Sequence, residues 1–209
     1  MLTGALRYEK ESETYHNSLV SINSKGSIDR IYDKIHLVPF GEYIPFQEWI
    51  PLTPVVQFQG FTKGVGLYDF TLFENLKYSP LICYEVIFPK KSIKKSSQAD
   101  FIVNITNDAW YGDSPGPYQH LTIARFRAIE EGLPLVRAAN TGASAIFDSY
   151  GRALHTTAIF KRAVISSPLP KSNKKSLLFT NTYLHLHSIF ILLFTTLAFS
   201  YKYIGRCKK

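Results

Sequence analysis

Cysteine is scarce. The 209 residues hold two, Cys83 and Cys207, too few for a disulfide framework. Their surroundings are so different that no bridge between them is expected. Ahead of the hydrophobic C-terminal stretch there is no Cys-x-x-Cys and no His-x-x-x-His spacing, so no metal-ligand pattern exists and no metal or cofactor is expected. Acidic residues are outnumbered, 16 Asp and Glu against 24 Lys and Arg, for a net charge of +8. Such an excess suits an anionic membrane surface or nucleic acid. No nucleic-acid-binding motif accompanies it, so a nucleic-acid partner is not expected. The first 30 residues lack a long apolar run, which argues against a signal peptide. Internal repeats and low-complexity tracts are absent as well. With 45% hydrophobic and 19% charged residues, the composition is that of a packed core rather than a disordered chain.

Charge vanishes altogether over the 26 residues from Ser176 to Tyr201. The centre of this stretch is Ser188-Ile-Phe-Ile-Leu-Leu-Phe-Thr-Thr-Leu-Ala-Phe-Ser200. A bilayer core needs about 20 predominantly apolar helical residues. Lys171, Lys174 and Lys175 precede the stretch, and Lys202, Arg206, Lys208 and Lys209 follow it. Tyr183, Tyr201 and Tyr203 lie where interface aromatics belong. A transmembrane helix is expected over 183–204, after a linker over 171–182 and a catalytic domain over 1–170. The competing reading is a buried core helix. Basic residues on both flanks leave the orientation open.

Met1 to Tyr8 reads as a strand. Ser18–Asn23 and Ser27–His36 flank Ser24-Lys-Gly26 as a hairpin. Four prolines between Pro39 and Pro54 exclude a helix or a central strand and leave a long apolar loop, Tyr43 to Phe61. Leu67–Phe73, Tyr78–Tyr84 and Phe101–Thr106 read as strands, the last two buried. A short helix is expected after Tyr84, running through Lys94. Pro117 opens a second helix and Gly132 closes it. Strands are expected at Leu135–Ala139, Ser144–Asp148 and Arg162–Ser167, with a hairpin turn at Asp148-Ser-Tyr-Gly151. The pattern is an α/β sandwich with a mixed sheet.

Three places suit chemistry. Cys83, in Pro80-Leu-Ile-Cys-Tyr-Glu85, sits where an apolar strand hands over to a helix. A helix N-terminus there would lower the thiol pKa, and Glu85 shares its face if the strand persists. A buried structural cysteine is the plainer alternative. Lys34 lies in Tyr32-Asp-Lys-Ile-His-Leu-Val-Pro-Phe-Gly-Glu42, and on an alternating strand it shares a face with Tyr32 and His36. A lysine facing inward calls for a carboxylate partner. Glu42 supplies one, with Gly41 giving the chain freedom to turn. Such a lysine suits a thiolate or a developing oxyanion, whereas a solvated surface strand needs no partner at all. Asn104-Ile-Thr-Asn-Asp-Ala-Trp-Tyr-Gly112 ends a buried strand with polar groups, where open α/β sheets collect ligands. An Asx-rich turn accounts for it equally well. His120 lies on the helix whose apolar face is Leu121, Ala124 and Ala128, and a structural role is the simpler reading.

These blocks, followed by Pro117-Tyr-Gln-His, Ala124-Arg-Phe-Arg-Ala and Arg137-Ala-Ala-Asn-Thr-Gly, resemble the nitrilase (carbon–nitrogen hydrolase) superfamily. Within it, they are most similar to the apolipoprotein N-acyltransferase family. The resemblance covers nearly the whole chain and implies a nitrilase-like α-β-β-α sandwich followed by one C-terminal transmembrane helix. It also implies a Glu-Lys-Cys mechanism in which Cys83 is the nucleophile and Lys34 the lysine. Glu42 and Glu85 match further functional glutamates, and Tyr84 the neighbouring tyrosine. The implied reaction moves a fatty acyl group from a phospholipid donor, through a Cys thioester, to the N-terminal diacylglyceryl-cysteine of a lipoprotein. The family's place is the bacterial inner membrane, with the catalytic domain on the periplasmic side.

The family's general-base glutamate precedes the Leu2-Thr-Gly strand and matches no residue here; Glu9, Glu11 and Glu13 fall in a downstream loop. The sequence therefore reads as the C-terminal part of such an enzyme. The chain alone is expected not to turn over, and a separately encoded N-terminal half is an expected partner. Two other readings compete. One is a soluble-type amidase or nitrilase acting on a small C–N substrate. The other is an inactive membrane-tethered fragment or partner subunit of a split acyltransferase.

Overall fold

The computed structural model describes residues 1–46, 60–73, 75–94, 96–173 and 188–197. The chain divides into two compact units, residues 1–174 and 175–209.

In the first unit, β1 (Leu2–Glu9), β2 (Thr14–Ile22) and β3 (Ile28–Asp33) form an antiparallel sheet in sequence order. The turn between β2 and β3 is the Asn23–Ser27 segment, where the Asn23 side chain accepts from Lys25 and Ser27 N–H. This is the hairpin expected from Ser24-Lys-Gly26. A second, six-stranded sheet runs β4 (Phe70–Phe73), β5 (Leu76–Ile82), β6 (Phe101–Asn107), β7 (Leu135–Asn140), β8 (Ala145–Phe147) and β9 (Ala153–Thr156). Its centre, β5-β6-β7, is parallel and its edges antiparallel. The mixed sheet is as expected.

One core lies between the two sheets, where Leu19 and Tyr32 meet Tyr78, Ile82, Phe101 and Val103. A second lies between the six-stranded sheet and α1 (Gly116–Glu131), where Ala124 and Ala128 pack on Leu81, Ile102, Leu135 and Phe147. Small residues on the helix let it approach the large aliphatics of the strands. Gly132 ends α1 in the left-handed region at φ 64°, with its N–H returned to Ala128 and Ile129 carbonyls, the cap that favours glycine. These are α, β and β layers. Among the described residues of this unit, no further α-helix supplies the fourth layer of an α-β-β-α sandwich.

Three expectations change. The helix after Tyr84 is a 3₁₀ turn of five residues, Cys83–Ile87. Pro89 forces the residue before it out of the helical region, and Phe88 is accordingly extended, at φ −87° and ψ 112°. The expected strand over 162–167 is absent, and Val164 is exposed. The strand forms instead directly after the Asp148–Gly151 turn, as β9, because that turn returns the chain into register beside β8. Finally, β3 stops at Asp33, so Lys34 and His36 are not on a strand. Lys34 N–H makes the last bond to Asn17 carbonyl, and the next two N–H groups turn to a side chain of the site.

In the second unit, residues 188–197 are helical with exposed apolar side chains. Among the described residues no helix is long and apolar enough to cross a membrane. The rest of the span expected over 183–204, and most of the apolar loop Tyr43 to Phe61, lie outside the described residues.

Candidate active site

Cys83 follows the last residue of β5 and opens the 3₁₀ turn. Its φ is +48°, a left-handed conformation that a non-glycine residue adopts only when its surroundings hold it, at a cost of about 1–3 kcal/mol. The sharp turn lifts the side chain out of the sheet, and the thiol is half-buried.

Glu85 is the buried knot of the site. One carboxylate oxygen accepts Ile35 N–H at 2.7 Å and His36 N–H at 3.1 Å; the other accepts Ile82 N–H at 2.8 Å. Tyr32 hydroxyl reaches both oxygens at 2.9 and 3.0 Å. The carboxylate thus joins the segment after β3 to the end of β5, and so ties the neighbours of Lys34 to the neighbour of Cys83. Burial pushes the Glu85 carboxyl up, and the three backbone N–H groups and Tyr32 pull against that rise. Burial, then the Glu85 charge, also raises the Tyr32 phenol, which keeps it a donor.

Lys34 is buried, and its Nζ lies 2.7 Å from Glu42 Oε2, the partner that an inward lysine requires. Glu42 also accepts Val38 N–H and Asn17 Nδ2, each at 2.8 Å. A Val38–Glu42 turn delivers it, and the left-handed residue of that turn is Phe40, at φ 61°, rather than Gly41. Tyr84 packs edge-on against Phe88 at 5.0 Å, and Phe88 lies 4.8 Å from His36. Tyr32 thus reaches Glu85 in the Cys83 turn, and the Lys34–Glu42 pair stands next to the Ile35–His36 backbone that the same carboxylate grips.

The spacing of residues did not reveal a second buried network on the other side of that turn. Asp108 accepts Thr106 hydroxyl at 2.9 Å, lies 2.9 Å from His120 Nδ1, and accepts Arg137 Nη2 at 2.7 Å. Arg137 also donates to Asn104 Oδ1 and to Ala143 carbonyl. His120 Nε2 lies 3.2 Å from the Cys83 carbonyl oxygen. Burial alone would raise Asp108; its bond with His120 and the charge of Arg137 outweigh that and hold the carboxyl below its ordinary range. A Cβ on Gly142 would fall 2.1 Å from Asp108 Oδ2, so glycine there makes room for the carboxylate. Burial raises the Tyr111 phenol, as does charge on the neighbouring Cys83. The polar run after β6 was visible in the sequence, but Arg137 lies on a strand and His120 on a helix, and nothing in either pattern linked them to Asp108. No cluster of metal-ligating side chains exists among the described residues.

A half-buried thiol on a strand-to-turn elbow, joined through the Glu85 carboxylate to the segment that follows the lysine of a buried lysine–glutamate pair, is an arrangement that suits nucleophilic attack on an acyl carbon. Residues 1–172 match the carbon-nitrogen hydrolase family. The chain belongs to the carbon-nitrogen hydrolase family. It is 46% identical over 178 residues to the apolipoprotein N-acyltransferase of Brucella melitensis, a match covering 81% of this chain and 34% of that protein. It is 48% identical over 160 residues to that of Allorhizobium ampelinum, covering 73% and 30%. The chain spans about a third of the length of these relatives. Among solved structures, a carbon-nitrogen hydrolase from Helicobacter pylori matches 75% of this chain and 57% of its own, with a TM-score of 0.57 and 20% identity. An amidase from Nesterenkonia sp. matches 89% and 65%, with a TM-score of 0.56 and 18% identity. At that identity the likeness establishes the nitrilase-like α/β fold.

Proposed function

We propose that this chain carries the nucleophilic part of an apolipoprotein N-acyltransferase. The observation that carries the reading is the 46–48% identity to proteins of that name, together with a Lys34–Glu42 pair and a Cys83 elbow tied to one buried carboxylate. Cys83 thiolate attacks the ester carbonyl of a phospholipid. A C–S bond forms, the C–O bond breaks, and a lysophospholipid leaves with the proton its alkoxide needs. The α-amino group of a diacylglyceryl-cysteine then attacks the thioester. A C–N bond forms, the C–S bond breaks, and the amine proton passes to a base. Lys34 stabilises the thiolate and the tetrahedral oxyanion, and Glu42 holds Lys34 in place. Tyr84 follows the nucleophile in sequence and packs against Phe88. Glu85 acts by fixing the two segments against each other, since its oxygens are already taken by four donors.

The domain spans 1–170, and residues 183–204 form a transmembrane anchor that keeps it on the periplasmic side of the bacterial inner membrane. The charge-free run of 26 residues supports the anchor. Glu42 and Glu85 are both engaged within the site, and the general base belongs to the part of the relatives that this chain does not match. The test is a mobility-shift assay with a diacylated lipopeptide in phospholipid micelles. The chain alone should give no transfer, and adding the part of the Brucella melitensis relative that it does not match should restore it. Sustained turnover by the chain alone would overturn the need for a second half.

A further inference from the structure

The elbow at Cys83 is gripped at three successive residues, Leu81, Ile82 and Cys83, and two of the grips come from one network. Glu85 holds Ile82 N–H. On the opposite side, Asn104 Nδ2 donates to the Leu81 carbonyl at 3.2 Å, and His120 Nε2 lies 3.2 Å from the Cys83 carbonyl. A carbonyl can only accept, so Nε2 carries the hydrogen there. The two contacts close into a ring through the core: Asn104 to Arg137, Arg137 to Asp108, Asp108 to His120. Arg137 Nη2 also lies 3.2 Å from His120 Nδ1. All four side chains are at most 2% exposed, so water does not compete for their bonds. A left-handed cysteine is unfavourable on its own, and a buried, fully connected network is what can hold it.

We propose that His120, set by Asp108 and Arg137, is a positioning residue for Cys83: its Nε2–H fixes the Cys83 carbonyl and with it the left-handed turn that presents the thiol. The proposal rests on Cys83 being the nucleophile of this site. A merely structural histidine would stabilise the fold without setting the behaviour of the thiol. The two cases separate at the ring atom that reaches Cys83. In His120→Gln the amide nitrogen occupies the place of Nε2 and keeps the carbonyl contact. In His120→Asn the side chain ends near Nδ1, keeps company with Asp108 and falls short of Cys83.

The experiment uses the whole chain in detergent micelles, carrying Cys207→Ser so that Cys83 is the remaining cysteine. The probe is iodoacetamide, and the readout is the alkylation rate of Cys83 by mass spectrometry, with the chain unfolded in guanidinium as reference. Thermal melts are recorded alongside. His120→Asn should shift the rate at least fivefold from the wild-type value toward that of the unfolded chain. His120→Gln should stay within twofold of wild type, even where the two variants melt alike. A wild-type rate in His120→Asn would overturn the proposal, as would equal rates in the two variants. So would a wild-type rate equal to that of the unfolded chain, because a held elbow gives the thiol a reactivity of its own. Acyl transfer plays no part in the readout. A failure of the acyltransferase reading therefore leaves this result intact, and a failure here leaves the acyltransferase reading to its own assay.

Discussion

Replacing Glu85 with glutamine removes one oxygen acceptor and changes nothing else in shape. The surrounding donors decide the consequence. If the amide oxygen takes the place that accepts Ile35 and His36 N–H, the amide nitrogen faces Ile82 N–H, and two donors meet head-on in a buried pocket. The opposite flip loses both bonds on the other side. The favourable orientation still forfeits a bond to a charged acceptor, worth about 1.5–3 kcal/mol, and leaves a buried donor unsatisfied at about 1–3 kcal/mol. Part of this is recovered by relaxation and by the smaller burial cost of a neutral amide. A net loss of about 3 kcal/mol is expected, a large share of the roughly 5–15 kcal/mol that holds a domain folded. For a domain of this size that corresponds to a fall in Tm of roughly 6–12 °C. The loss should localise, with faster amide exchange at Ile35, His36 and Ile82 than in β6 or β7. The assay is thermal unfolding of the whole chain by circular dichroism at neutral pH, followed by residue-resolved hydrogen exchange. A Tm within about 2 °C of wild type would refute the reasoning. It would mean that burial holds Glu85 protonated, so that glutamine mimics the native acid.

Lys34→Met leaves Glu42 without its cation, although Asn17 and Val38 still donate to it. Acyl transfer in the complemented system should fall by about 10²–10³ or more, and Lys34→Met with Glu42→Gln should recover stability but not activity; near-normal turnover in Lys34→Met contradicts the assignment. Glu131 tests the pH response of the fold. Burial and the neighbouring Glu130 push its carboxyl up to about 7, and one of its oxygens is buried without a partner. A raised carboxyl favours folding when protonated, so its stabilising contribution is present below about pH 4.5 and is lost as pH rises through about 7. Glu131→Gln should therefore raise Tm by several degrees at pH 8 and change little at pH 4.5, as read by parallel melts. A gain confined to acid would reverse the sign and refute the shift.

Local chemistry made much of this fold legible. Asn23 to Ser27 had turn chemistry, β5 and β6 carried short apolar stretches at Leu81-Ile82 and Phe101-Ile-Val103, and α1 had a proline at its start and a left-handed glycine at its end. The elbow was legible as a place but not as a shape. Apolar content extends a helix past Pro89 to Lys94, whereas the restriction on Phe88 limits the turn to Cys83–Ile87. The strand expected over 162–167 followed apolar content, whereas the turn at Gly151 decided the pairing and placed β9 directly after it. At the site, Lys34 and Glu42 are close in sequence, and an inward lysine asked for a carboxylate, so their pairing could be reasoned out. Glu85 could not, because three of its four donors come from 49 to 53 positions away. The same holds for Asp108, His120 and Arg137, which long-range packing alone brings together. Strand alternation put Lys34 and His36 on one ladder face, but the ladder stops where Glu85 captures the next N–H groups.

The central claim is that Cys83 takes an acyl chain from a phospholipid. The direct measurement is intact-protein and peptide mass spectrometry of the chain reconstituted in phospholipid vesicles with the unmatched part of the Brucella melitensis relative. A hydroxylamine-labile fatty acyl adduct on the Cys83 peptide is predicted, with none on the Cys207 peptide and none in Cys83→Ala. An adduct that survives Cys83→Ala, or transfer to a diacylated lipopeptide without any adduct at Cys83, would contradict the account.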